Sequence, residues 1–155
     1  MSSMRHEARP QDIARDMTDR PISDPLRQQR ELNPRLNAGV YVFVTLDGGE
    51  ELDASGVVAT INEPEGTSVI IEAGAAAAAG FAPSPMYAWI TLMVHSDLQS
   101  VGLTAAVSGA LARAGIGCNV VAGTRHDHLF VAAGHAEMAM AELRALQGRA
   151  RDSKS

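Results

Sequence analysis

Three groups of residues in this 155-residue sequence have types and spacings suited to chemistry. The first is the step Val101-Gly102-Leu103, which follows an apolar run and opens an Ala-rich one. Free N–H groups at a helix start can hold a carboxylate, helped by the helix dipole. Gly102 has no side chain, so a ligand or a neighbouring backbone can come close. Ser96 and Asp97 stand just before this step, and Asn119 and Val120 follow on the next strand. Together they are expected to supply acceptors for an ammonium group.

The second group is His126-Asp127-His128, with His95 as a further imidazole. Alternate residues on a strand face one way, so both rings could converge on a metal or share a proton. No thiol or further carboxylate completes a ligand set in the sequence, and a polar hydrogen-bonding cluster near a sheet end is the simpler reading. The third group is the turn from Glu63 to Ser68, where two glutamates flank Pro64. It could meet a cation or a ligand amine, although a solvated turn accounts for it without one. Cys118, the sole cysteine, has no neighbouring base and reads as a buried small hydrophobe. No Gly-x-Ser-x-Gly elbow, His-Glu-x-x-His pair, phosphate loop or dinucleotide glycine pattern occurs, so no catalytic residue, metal or cofactor is assigned.

The elements that must position these groups are short. Strands are expected at 40–46, 57–61, 67–71, 89–95, 117–122 and 127–131, where β-branched runs lie between Gly, Pro, Asn and Asp clusters. Leu98–Ala114 has the 3.6-residue apolar period and Gly115 as its stop, and Ala136–Gln147 and Ala73–Ala79 are two further helices. Residues 25–36 carry only a weak helical pattern. The expected organisation is a flexible arm over 1–32, two units at 33–86 and 87–148, and a polar tail at 149–155. Within the arm, residues 1–24 are so poor in apolar side chains that their removal is expected to leave folding intact.

Composition narrows the function classes. The chain is 46 % hydrophobic and 20 % charged, the balance of one globular domain or two very small ones. Residues 36–147 hold Arg113, Arg125 and Arg144 against eleven acids, a balance of −8, which repels a phosphate backbone and argues against nucleic-acid binding. No apolar run approaches the roughly 20 residues of a membrane span. The polar start, with Arg5, His6, Glu7 and Arg9, lacks the apolar stretch of a signal peptide, so a cytoplasmic protein without membrane contact is expected.

The sequence also overlays itself. Shifted by sixty residues without a gap, Ile61 falls on Val121, Val69 on Leu129, Ile71 on Val131 and Gly74 on Gly134. The opening strands match at an offset of forty-eight, with Tyr41 on Trp89. The polar stretch from Asp47 to Ser55 is too short for the helix that the second copy carries there. A duplicated unit whose first copy has lost most of its first helix is expected.

The run from Val94 (VHSDLQSVGLTAAVSGALARAGIGCNVVAG), followed by HDHLFVAAG, resembles an ACT domain, a small regulatory module that commonly binds amino acids. More narrowly, the chain resembles a bacterial family of stand-alone tandem ACT proteins, with Tyr41-Val42-Phe43 and Glu63-Pro64-Glu65-Gly66-Thr67 extending the likeness into the first half. It departs from many ACT domains in carrying Gln99 and Val101 where an acidic residue and a proline are usual before the helix glycine. The resemblance implies an α+β fold of two ferredoxin-like units in tandem, with antiparallel sheets and helices on one face. It further implies non-catalytic regulatory binding of a small molecule, an amino acid above all, in a homo-oligomer that acts on a separate protein. The site expected is Ser96, Asp97, Val101, Gly102, Leu103, Asn119 and Val120, and Gly102→Val is expected to block it in a folded protein. Two other readings stay open: a metal-dependent or acid–base enzyme using His95, His126, Asp127 and His128, and an interaction module with a vestigial pocket.

Overall fold

Local signals set the first element that the computed structural model describes; its described residues are 20–48, 52 and 54–153. The Asp24 carboxylate accepts from the Leu26 amide at 3.0 Å, and Pro25 takes the first helical position of α1 (Pro25–Arg30). The chain continues through β1 (Pro34–Leu36), β2 (Tyr41–Leu46), β3 (Val57–Glu63), β4 (Gly66–Glu72) and α2 (Ala73–Ala78). Then come β5 (Tyr87–Leu92), α3 (Leu103–Arg113), β6 (Cys118–Ala122), β7 (Asp127–Ala132) and α4 (Ala136–Asp152). The strands form one antiparallel sheet in the order β3-β4-β2-β5-β7-β6, and β1 lies beside β5.

The sheet carries the duplication in its hydrogen-bond register. Thr60 opposes Val69 as Val120 opposes Leu129, and Ile61 opposes Ser68 as Val121 opposes His128. Each pair is related by the shift of sixty, and each hairpin leads into a helix. The opening strands correct the sequence overlay. Tyr41 opposes Glu72 and Tyr87 opposes Ala132, so the counterpart of Tyr41 is Tyr87, at an offset of forty-six rather than forty-eight. Side chains alternate across a strand with period two, so a slip of two residues leaves the apolar pattern unchanged and invisible in sequence. Tyr41 and Tyr87 also oppose each other, on the approximate twofold axis between the halves.

The fourth strand of the second unit comes from the N-terminal segment. Pro34, Arg35 and Leu36 pair with Leu92, Thr91 and Ile90. Leu32, fully buried, joins Ile90, Leu92, Leu111, Leu129 and Leu143 in the core beneath α3 and α4. The arm expected over 1–32 is therefore folded from Ile22 onward. The Ile22 amide donates to the His95 carbonyl at 2.8 Å and its carbonyl accepts from Asp97 at 3.2 Å. Buried Gln28 donates to Ser100 Oγ at 2.8 Å. Residues 1–19 of that arm lie outside the described residues.

The polar tail is likewise helix as far as Asp152. Arg30 donates to the carbonyls of Ala150 at 2.9 Å and Ser153 at 2.6 Å, and Gln147 and Arg151 each donate back to the Arg30 carbonyl at 3.0 Å. These bonds satisfy helix-end carbonyls that charge-rich sequence alone would leave to water. The helix expected from Leu98 instead begins at Leu103. The Asp97 side chain accepts from the Gln99 amide at 2.9 Å and its carbonyl from Ser100 at 2.9 Å, a turn that competes with helix.

The described helices pack on one face. Val42, Val44, Val69 and Ile71 meet α2 there, and the larger aliphatic core meets α3 and α4. The other face is aromatic. It carries Tyr41, Phe43, Tyr87, Trp89 and Phe130, five of the six aromatic residues in the chain. Val58 and Ala59 of β3 and Val121 of β6 pack against this same cluster although they lie on opposite edge strands, so the sheet curls around its aromatic face.

The core position of Leu32 makes a direct prediction. Leu32→Ala should lower unfolding free energy by about 3 kcal/mol in urea denaturation, the ordinary loss for a buried leucine. A chain starting at residue 33 should fail to show a cooperative transition.

Candidate functional site

The loop from β5 to α3 builds a small cleft. Ser96 is buried beside the Ile22 bridge, and its hydroxyl donates to Asp127 Oδ2 at 3.3 Å. Gly102 stands at the helix N-cap with φ +115°, a left-handed conformation that glycine adopts without strain, and no side chain caps the helix. The first-turn amides of α3 therefore have no intrahelical acceptor. Beside them lies a cleft of about 90 Å³ lined by Ser96, Asp97, Ser100, Thr104 and Asp127, with Leu103 and Ala122 among its apolar walls. It combines the positive end of a helix dipole with two carboxylates.

The seven residues expected at this site divide. Ser96, Asp97 and Leu103 line the cleft. Val101 is 82 % exposed and points away from the core, and Gly102 faces Pro25, whose ring would lie 3.5 Å from an added Cβ. Val120 packs towards the helices and Asn119 lies on the opposite face, reaching Phe130 O at 3.5 Å, and neither lines the cleft. Ser100, Thr104, Ala122 and Asp127 complete it instead. Ser100 and Thr104 sit two residues either side of Gly102, a spacing legible in sequence; Asp127 and Ala122 arrive through the β6–β7 register.

The histidine group does not converge. His126 Nδ1 lies 3.2 Å from the Val94 carbonyl, Asp127 turns to Ser96, and His128 turns to the aromatic face. Among the described residues no three His, Cys, Asp or Glu side chains stand together as a metal site. In the turn of the first half, Ser68 Oγ donates to Glu63 Oε2 and both residues form a local exposed pair. Burial pushes the Cys118 thiol up to about 11, the opposite of thiolate activation. Burial, and to a smaller degree neighbouring His126, lowers the His128 pKa, while Asp127 opposes the shift.

With a curled antiparallel sheet, helices on one face and two register-matched halves, the class is a tandem of ferredoxin-like units. The ACT domain model matches residues 28–88 and a second ACT domain model matches residues 86–145, and the chain belongs to the ACT domain family. A Vibrio cholerae protein of unknown function, described as a possible transport protein, is 41 % identical over 77 % of this chain and 92 % of its own, with a TM-score of 0.67. An Agrobacterium tumefaciens protein is 20 % identical over 74 % of this chain and 87 % of its own, at 0.56. The regulatory subunit of aspartate kinase from Thermus flavus shares the fold at 11 % identity, over 73 % and 95 %, with a TM-score of 0.54. No curated protein matches the chain. No helix among the described residues is long and apolar enough to cross a membrane.

The lowered His128 pKa sets a pH dependence. Below about pH 6.5, the ordinary histidine value, an unfolded chain binds the proton while the folded ring stays neutral. Stability is therefore full above that pH and falls on acidification until the lower folded pKa is passed. Melting curves across this range should show the fall in the wild type and a shallower one in His128→Phe.

Proposed function

We propose that this chain is a non-catalytic, cytoplasmic regulatory protein whose second ACT unit binds a small amino acid in the cleft at the start of α3. One observation carries this reading: Leu103 and Thr104, in the uncapped first turn of α3, line the same 90 Å³ cleft as Asp97 and Asp127. The amides suit an α-carboxylate and the acids suit an α-ammonium group, so a zwitterion is complementary at both ends. The small volume favours a short side chain, and the acidic lining disfavours dicarboxylates. The fold shared with a regulatory subunit of an amino-acid kinase supports a regulatory role. Among the described residues the sheet ends on the edges β3 and β6, which supports pairing with a second copy, and the ligand signal passes to a separate protein.

Gly102→Val is a poor test, because the left-handed backbone strains any side chain there and Pro25 occupies the space. Asp127→Asn keeps the shape and removes one charge. In a thermal-shift and calorimetric screen of the amino acids, a small neutral one should bind, adding roughly 2.7 kcal/mol of stability at a hundred times its Kd. Asp127→Asn should weaken it at least tenfold, about 1.4 kcal/mol, with little change in the free protein's melting temperature. No response to any amino acid, or undiminished binding by the variant, contradicts the proposal.

A further inference from the structure

The aromatic face holds a second pocket, on the side of the sheet away from the α3 cleft. Asp127 and His128 are neighbours on β7 and turn to opposite faces, so the sheet stands between the two. The pocket, about 390 Å³, opens where the curled sheet brings β3 towards β6. Val58 and Ala59 form one wall and Val121 the other. Its floor is the indole of Trp89, which stacks at 15° with the fully buried ring of Phe130, centroids 6.2 Å apart.

The polar group in the lining is His128, and its hydrogen bonds define its tautomer. Trp89 Nε1, which can only donate, lies 3.0 Å from His128 Nδ1, so that nitrogen accepts. Thr91 Oγ1 lies 3.1 Å from the same nitrogen and receives an Asn37 amide proton at 2.9 Å, which leaves its own hydroxyl proton for His128. The ring proton therefore sits on Nε2. That nitrogen has no acceptor among the described residues. It lies beside Gly123, where an added Cβ would come within 3.3 Å, so the glycine leaves this ring edge uncovered. Among the described residues, no Asp, Glu, Lys or Arg lines the pocket, so an ion entering it would lose water without gaining a counter-charge from them.

We propose that this pocket binds a neutral, planar aromatic molecule with one hydrogen-bond acceptor, its ring against the Trp89 indole and its acceptor on His128 Nε2–H. The planar indole floor between aliphatic walls selects the ring. The fixed donor selects the acceptor, because filling the pocket with a molecule that lacks one would bury the N–H unpaired.

Trp89 is the sole tryptophan, so its indole N–H cross-peak in a ¹H–¹⁵N spectrum reports on the pocket without assignment. Quinoline and naphthalene share a shape, and only quinoline carries a ring-nitrogen acceptor. At pH 8, quinoline should shift the indole peak saturably and bind at least fivefold more tightly than naphthalene. His128→Phe should remove that preference, and Ala59→Leu, which fills the wall, should weaken both. The wild-type comparison decides the acceptor claim even if His128→Phe fails to fold. No saturable shift, or equal affinity for the two probes, overturns the proposal. An indole peak that moves with protein concentration and ignores quinoline also overturns it, by assigning the face to a second copy of the chain.

Discussion

Everything in this molecule hangs on the pairing along β5. On one edge β5 pairs over its full length with β7. On the other it meets β1 at its C-terminal half and Tyr41 of β2 at its first residue. Two strands that are close in sequence thus serve different units, and neither unit closes without the other's chain. Burial follows the same logic, since Leu32 from the N-terminal segment fills the core beneath α3 and α4. A tandem in which each half folded by itself would need a full fourth strand after α2, and there the described pairing reduces to Tyr87 against Tyr41.

The duplication also distributes chemistry between two faces. On the helical face the second unit keeps a full α3, whose start makes the acidic cleft. Among the described residues, the first unit shows the short turn Ala54–Gly56 in the matching place and no equivalent helix start. On the curled face the symmetry is better kept. Phe43 packs edge-on to Tyr87 at 5.0 Å as Trp89 packs edge-on to Tyr41 at 5.3 Å, pairs that exchange at the offset of forty-six. The chain concentrates its few aromatic rings on the face that none of the described helices covers.

Six of the seven strands, three helices and the duplication were legible because each is a local pattern of apolar residues and turns. What escaped was non-local. Pro34-Arg35-Leu36 has neither strand propensity nor length, and it becomes β1 only because β5 offers an open edge more than fifty residues later. Arg149 and Arg151 read as tail until the carbonyl of Arg30 gives the helix end a partner. Leu98 and Val101 fit a helical period, yet the Asp97 turn excludes them from α3. In the site, neighbours in sequence such as Ser96 and Asp97 were legible. Asn119 and Val120 were not, because adjacent strand residues face apart, and Asp127 depended on a hairpin register that sequence alone leaves open.

Native-state hydrogen exchange tests the shared-strand architecture most directly, because it reads the opening of each strand separately. If β1 is the fourth strand of the second unit, the amides of Arg35 and Asn37, which face β5, exchange through the same global opening as those of β5 and β7, with the same denaturant dependence. Amides of Arg35 and Asn37 that exchange by local fraying while β5 and β7 stay protected would contradict it.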